Sequence, residues 1–74
     1  MKIILTEHAK ERMAVRKITE KMIKDAIAEP ENEGFGYQDR FLAFKTFSAG
    51  VIKVVYAKEK DSRVIISVIW ESIK

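Results

Sequence analysis

Apolar residues recur at helical spacing in the first part of this chain and run at strand spacing in its second half. Met22, Ile23, Ala26 and Ile27 mark one face of a helix. Thr19 is placed to cap it, Glu20 suits the dipole of its first turn, and Pro30 ends it. Thr6 is a second N-cap, for a helix running to about Arg16, and Lys17-Ile18 makes a tight connection between the two. Residues 2–5 read as a short strand. Three more strands follow, over about residues 40–47, 51–58 and 63–70. A short turn at Ala49-Gly50 and a longer one over residues 59–62 join them.

The stretch 31–37 is polar and carries Gly34 and Gly36, so it reads as loop or frayed edge strand. No helix opens after these glycines, which argues for turn formation rather than a phosphate loop. The expected architecture is one α+β domain over residues 1–74, in the order β-α-α-β-β-β. Two N-terminal helices pack on one face of an antiparallel meander.

Register assigns the faces. Pairing Ser48 with Val51, and Lys58 with Arg63, groups Leu42, Phe44, Thr46, Val51, Lys53, Val55, Ala57, Val64, Ile66, Val68 and Trp70. This is the more apolar set and is expected to carry the helices. The opposite set is Phe41, Ala43, Lys45, Phe47, Ile52, Val54, Tyr56, Lys58, Arg63, Ile65, Ser67 and Ile69. It is too apolar for an ordinary solvent face, so a second chain or a nucleic acid is expected to cover it. That contact should centre on Phe41, Phe47, Ile52, Ile65 and Ile69. A slip of one residue exchanges the two sets.

Composition narrows the classes. A domain of 74 residues has a marginal core, and association stabilises such domains. The expectation is therefore a homodimer or a tight hetero-complex. With no cysteine and one histidine, the chain offers neither a disulfide nor a zinc site, and no cofactor is expected. No apolar run approaches a membrane span and no secretory leader is evident, which points to a soluble cytoplasmic protein. The net charge of +3 suits a polyanion such as RNA without requiring one.

The single histidine opens a ladder of cations. His8, Arg12 and Arg16 lie four residues apart, along one side of the first helix. On the helical wheel Val15 falls to one side of the ladder, and Ala9 and Met13 to the other, which places the ladder inside the apolar stripe. Like charges at this spacing repel by a few tenths of a kcal/mol. Either carboxylates, with Asp39, Glu33 and Glu71 as candidates, or an anionic ligand should offset that repulsion.

The string from His8 to Thr19, with its H-A-x-x-R-M-x-x-R core and isoleucine turn, resembles the domain of unknown function 4258 family. So do the strings Val54-Val55-Tyr56 and Arg63-Val64-Ile65-Ile66-Ser67. That family is similar in turn to the BrnT and RelE/ParE-type toxins, small proteins with two helices on an antiparallel sheet, many of which cleave RNA without metal. The resemblance implies that fold, a toxin-like endoribonuclease activity and a neighbouring antitoxin. In the BrnT-like pattern an arginine follows the Ile-Ile-Ser string, where this chain has Val68, Ile69 and Trp70.

Metal-independent RNA cleavage requires an acid, a base and cations on the phosphate. His8 and Arg12 are the first candidates for catalysis. Tyr56 joins them as a proton shuttle if its pKa is strongly lowered. Arg16, Lys45 and Arg63 are candidates for holding RNA phosphates. The competing readings are plain structural ones: His8 bonded to the sheet edge, Arg12 and Arg16 in fold-holding ion pairs, Tyr56 in the core, Lys45 and Arg63 solvated. A non-catalytic module binding protein or RNA through the same fold is the alternative function.

Overall fold

Two threonines start the two helices. The structure, a computed structural model, describes residues 1–73. The Thr6 hydroxyl accepts from the Ala9 amide at 3.1 Å and opens α1, Glu7–Arg16. Thr19 accepts from the Met22 amide at 3.2 Å and opens α2, Glu20–Ala28. Between them Lys17 takes the left-handed conformation, with φ of 57°, and its N–H returns to the Met13 carbonyl. This closes α1 in the manner usual for a C-terminal cap and turns Ile18 inward.

Five strands form one mixed sheet in the order β1-β5-β4-β3-β2. They are β1 (Lys2–Leu5), β2 (Asn32–Phe35), β3 (Phe41–Phe47), β4 (Gly50–Glu59) and β5 (Ser62–Ile73). Strands β3 to β5 make the expected antiparallel meander, and β2 extends it by one strand. β1 departs from it by pairing parallel to β5, with Ile4 opposite Val64. The polar segment after Pro30 is a true edge strand, β2, paired antiparallel to β3. An edge position tolerates Asn32 and Glu33, because one side of the strand stays in water.

The two turns that join β3 to β4 and β4 to β5 are each two residues long. Phe47 pairs with Gly50 across Ser48-Ala49, and Glu59 pairs with Ser62 across Lys60-Asp61. Gly50 therefore belongs to β4 rather than to the turn. Its φ of 148° is one that residues bearing a Cβ rarely adopt.

β1 stops at Leu5, and α1 takes over its edge. The Thr6 hydroxyl donates to the Ile65 carbonyl at 2.7 Å. At the last residue of α1, the Arg16 guanidinium donates to the Val68 carbonyl at 2.8 Å, and the Trp70 indole N–H donates to the Arg16 carbonyl at 2.8 Å. Two β5 carbonyls, Ile65 and Val68, are thus bonded by side chains at the two ends of α1, which also blunts the edge.

The helices pack on the face opposite to the one expected. Ala9, Ile18, Ile23 and Ala26 bury against Ala43, Ile52, Val54, Tyr56, Ile65 and Val68. Burial alternates strictly along β4, with Ile52, Val54 and Tyr56 inside and Val51, Lys53 and Val55 half-buried on the far side. Phe41, Phe47, Ile52 and Ile65, expected at an intermolecular contact, therefore lie in or against the core. Both alternating sets are apolar, so alternation alone does not choose between them.

Register explains the remaining differences. Thr46 pairs with Val51 rather than Lys53, a two-residue shift that keeps each side chain on its expected face. In β5 a bulge places both Ile66 and Ser67 opposite Val55, so Val54 meets Val68 instead of Ser67. That extra residue moves Val68 and Trp70 to the helix side and Ile69 to the other.

Candidate functional site

The helices cover only part of their sheet face. α1 lies along β5, while α2 lies over β3 and β4 and ends beside Lys45, whose ammonium donates to the Glu29 carbonyl at 2.9 Å. The opposite end of the face opens only toward β2, where Phe35 is exposed, while Tyr56 and Ile65 stay buried. There a single row of side chains crosses all five strands: Phe35, Phe41, Tyr56, Ile65 and Leu5. The next row outward pairs Lys58 with Arg63.

A groove of about 210 Å³ opens over this corner, lined by Glu33, Gly34, Phe35, Phe41, Leu42, Tyr56 and Lys58. Its floor is aromatic. The rings of Phe35 and Phe41 are 5.5 Å apart between centroids and tilted by 56°. Those of Phe41 and Tyr56 are 5.8 Å apart and closer to parallel, at 27°. The Lys58 ammonium sits 4.4 Å from the Phe41 ring centroid, within range of a cation–π contact. Phe35 is 82% exposed, so one large ring faces solvent in the groove that Lys58 also lines.

The hairpin that follows β2 adds to this lip. The Arg40 amide donates to the Tyr37 carbonyl at 3.2 Å, closing a turn in which Gln38 and Asp39 both have positive φ. This is the mirror-image turn that suits strand twist, formed here without glycine at either central position. It leaves Tyr37 92% exposed at the tip.

Tyr56 itself is buried. Burial pushes its hydroxyl above the ordinary phenol range, the negative charge of Glu33 adds to this, and Arg63 opposes it. The net direction keeps the phenol protonated at neutral pH, opposite to the lowered pKa that a proton shuttle needs.

The residues proposed from sequence do not gather in one place. Tyr56 lines the groove and Arg63 is close enough to influence it electrostatically. Arg63 also donates to the Ser62 carbonyl at 3.1 Å. His8, Arg12 and Arg16 ride on α1, and none of them lines the groove; nor does Lys45. His8 is exposed and Arg12 half-buried. Val15 is 68% exposed, so the ladder flanks the buried stripe of Ala9 and Met13 instead of running inside it. Carboxylates do not tie the ladder down among the described residues. Arg16 takes a backbone carbonyl, and Glu71 pairs with Lys53 at 3.6 Å.

Glu33, Phe35 and Lys58 were the less obvious members of the site. The signal for the first two is two aromatics, Phe35 and Tyr37, at strand spacing inside an otherwise polar stretch. Among the described residues no three His, Cys, Asp or Glu side chains converge as a metal site would require, and no helix is long and apolar enough to cross a membrane. No curated protein and no solved structure matches the chain significantly. A family model does match, over residues 5–70, which takes in both helices, the groove and the α1–β5 clasp: the chain belongs to the family described as Domain of unknown function (DUF4258).

Proposed function

We propose that the protein binds single-stranded RNA in the groove between β2 and β4. The observation that carries this reading is the solvent-facing Phe35 ring against the Phe41 ring, over which the Lys58 ammonium sits. Exposed aromatic rings give bases a surface to stack on, and adjacent cations hold the backbone. Lys58 and Arg63 supply two cations at one end of the groove, and Tyr37 and Arg40 extend the same combination along the hairpin. The net charge of +3 adds a mild long-range attraction.

Fluorescence polarisation with a labelled oligoribonucleotide tests this. Phe35→Ala should weaken binding by about tenfold to a hundredfold, the worth of one stacked base. Lys58→Ala should weaken it too, and should flatten the salt dependence by about 0.7 in the log–log slope. Equal affinity in both variants and the parent protein would remove the groove from consideration.

A second reading is cleavage of the bound strand, as in the BrnT and RelE/ParE-type toxins that the family resembles, with an antitoxin as protein partner. Its support is the placement of Glu33 and Tyr56 in the same groove lining, with Arg63 one row outward, opposite Lys58. Loss of cleavage in chelator by Glu33→Gln, with binding retained, would favour it. An intact oligonucleotide after prolonged incubation with the parent protein leaves the binding module.

A further inference from the structure

The far face of the sheet has no helix over it. Leu42, Phe44, Val55, Val64, Ile66 and Ile69 lie there, each half-buried among its neighbours and none covered. Ile4 extends the patch onto β1, 40% exposed opposite Val64. Two-layer α+β domains ordinarily present a polar sheet face to water, so an apolar one signals a contact.

We propose that this face is the interface of a symmetric homodimer, packed sheet against sheet. Charge selects the occupant. On this face Lys2 and Glu59 share one row across Ser62, and Lys53 of β4 pairs with Glu71 of β5 at 3.6 Å, so its charges balance. A neutral apolar surface gives a polyanion nothing to hold. A second copy related by a two-fold axis brings the same pair in opposite order, so each Lys53 can meet the partner's Glu71. Size agrees. Five strands of this length span roughly 500–600 Å² in projection, and side-chain relief raises that toward the ~800 Å² per partner of a standard interface. The groove's rings, Phe35, Phe41 and Tyr56, lie on the opposite side of the sheet and only Leu42 borders both surfaces, so this association leaves the rings uncovered in both copies and does not depend on what the groove binds.

Sedimentation equilibrium of the full chain without RNA, from micromolar to millimolar concentration, tests the proposal. The parent protein should approach twice its monomer mass of 8.5 kDa. Val55→Lys should sediment as a monomer with an unchanged circular dichroism spectrum. Lys53→Glu should weaken association by about tenfold or more, because it sets like charges together across the two-fold. The double variant Lys53→Glu/Glu71→Lys restores opposite charges and should recover it, and it serves even if Val55→Lys fails to fold. A parent protein that remains monomeric throughout overturns the proposal. So does a dimer that Lys53→Glu leaves intact.

Discussion

Ile52→Ala is expected to destabilise the fold by about 2–5 kcal/mol, the range for truncating a buried isoleucine. Ile52 is fully buried in the central strand β4, flanked by Lys45 on β3 and Trp70 on β5. The sheet on both sides prevents the site from collapsing to fill the void. A domain of 74 residues has a total stability of only roughly 4–11 kcal/mol, so this one change removes a large part of it. Urea denaturation followed by circular dichroism measures the difference. Val15→Ala, at a position 68% exposed on α1, provides the contrast and should shift stability by no more than about 0.5 kcal/mol. Equal costs at the two positions would mean that α1 and β4 are oriented differently from the structure described.

The cation ladder should divide by position rather than act as a unit. Arg16→Ala is expected to cost about 1–3 kcal/mol, because it takes a charged donor from the Val68 carbonyl. His8→Ala and Arg12→Ala should each stay within about 0.5 kcal/mol, since neither makes a hydrogen bond or ion pair among the described residues. Thermal melts separate these outcomes, and RNA binding by the same variants checks them. A loss of RNA affinity in Arg16→Ala with an unchanged melting temperature would make the ladder a ligand surface instead.

The caps and the α2 stripe are legible in the sequence because they are local. Thr6, Thr19 and the Met22-to-Ile27 pattern each act within one or two helical turns. The sheet faces are not legible in the same way. Val51, Val55, Ile52 and Val54 are all apolar, and only the direction in which the helices fold back decides which pair is covered. The bulge at Ile66 and Ser67 has no signature in residue type, yet it reverses the side on which Val68, Ile69 and Trp70 lie. The site is partly legible for the same reason. Tyr56 and Arg63 stand in clear strands, whereas Glu33 and Phe35 occupy an edge strand whose polar composition resembles a loop. The His8 ladder draws attention by spacing alone, and spacing does not reveal that Arg16 finds a backbone partner.

The clasp between α1 and β5 joins residues far apart in the chain, with Thr6 and Ile65 separated by 59 positions. The β2–β3–β4–β5 meander, by contrast, grows from neighbouring hairpins. Closing the long loop costs entropy that only late contacts repay, so the meander should assemble first and the N-terminal arm dock onto it afterwards. The arm is then absent from the folding transition state. Thr6→Ala, which removes both the cap and the hydroxyl's bond to Ile65, should accelerate unfolding and leave the refolding rate nearly unchanged in a denaturant chevron. The consequence is a division of labour in time. The strands that build the aromatic groove take shape early, and the arm acts as a latch whose strength sets how long the finished molecule stays closed.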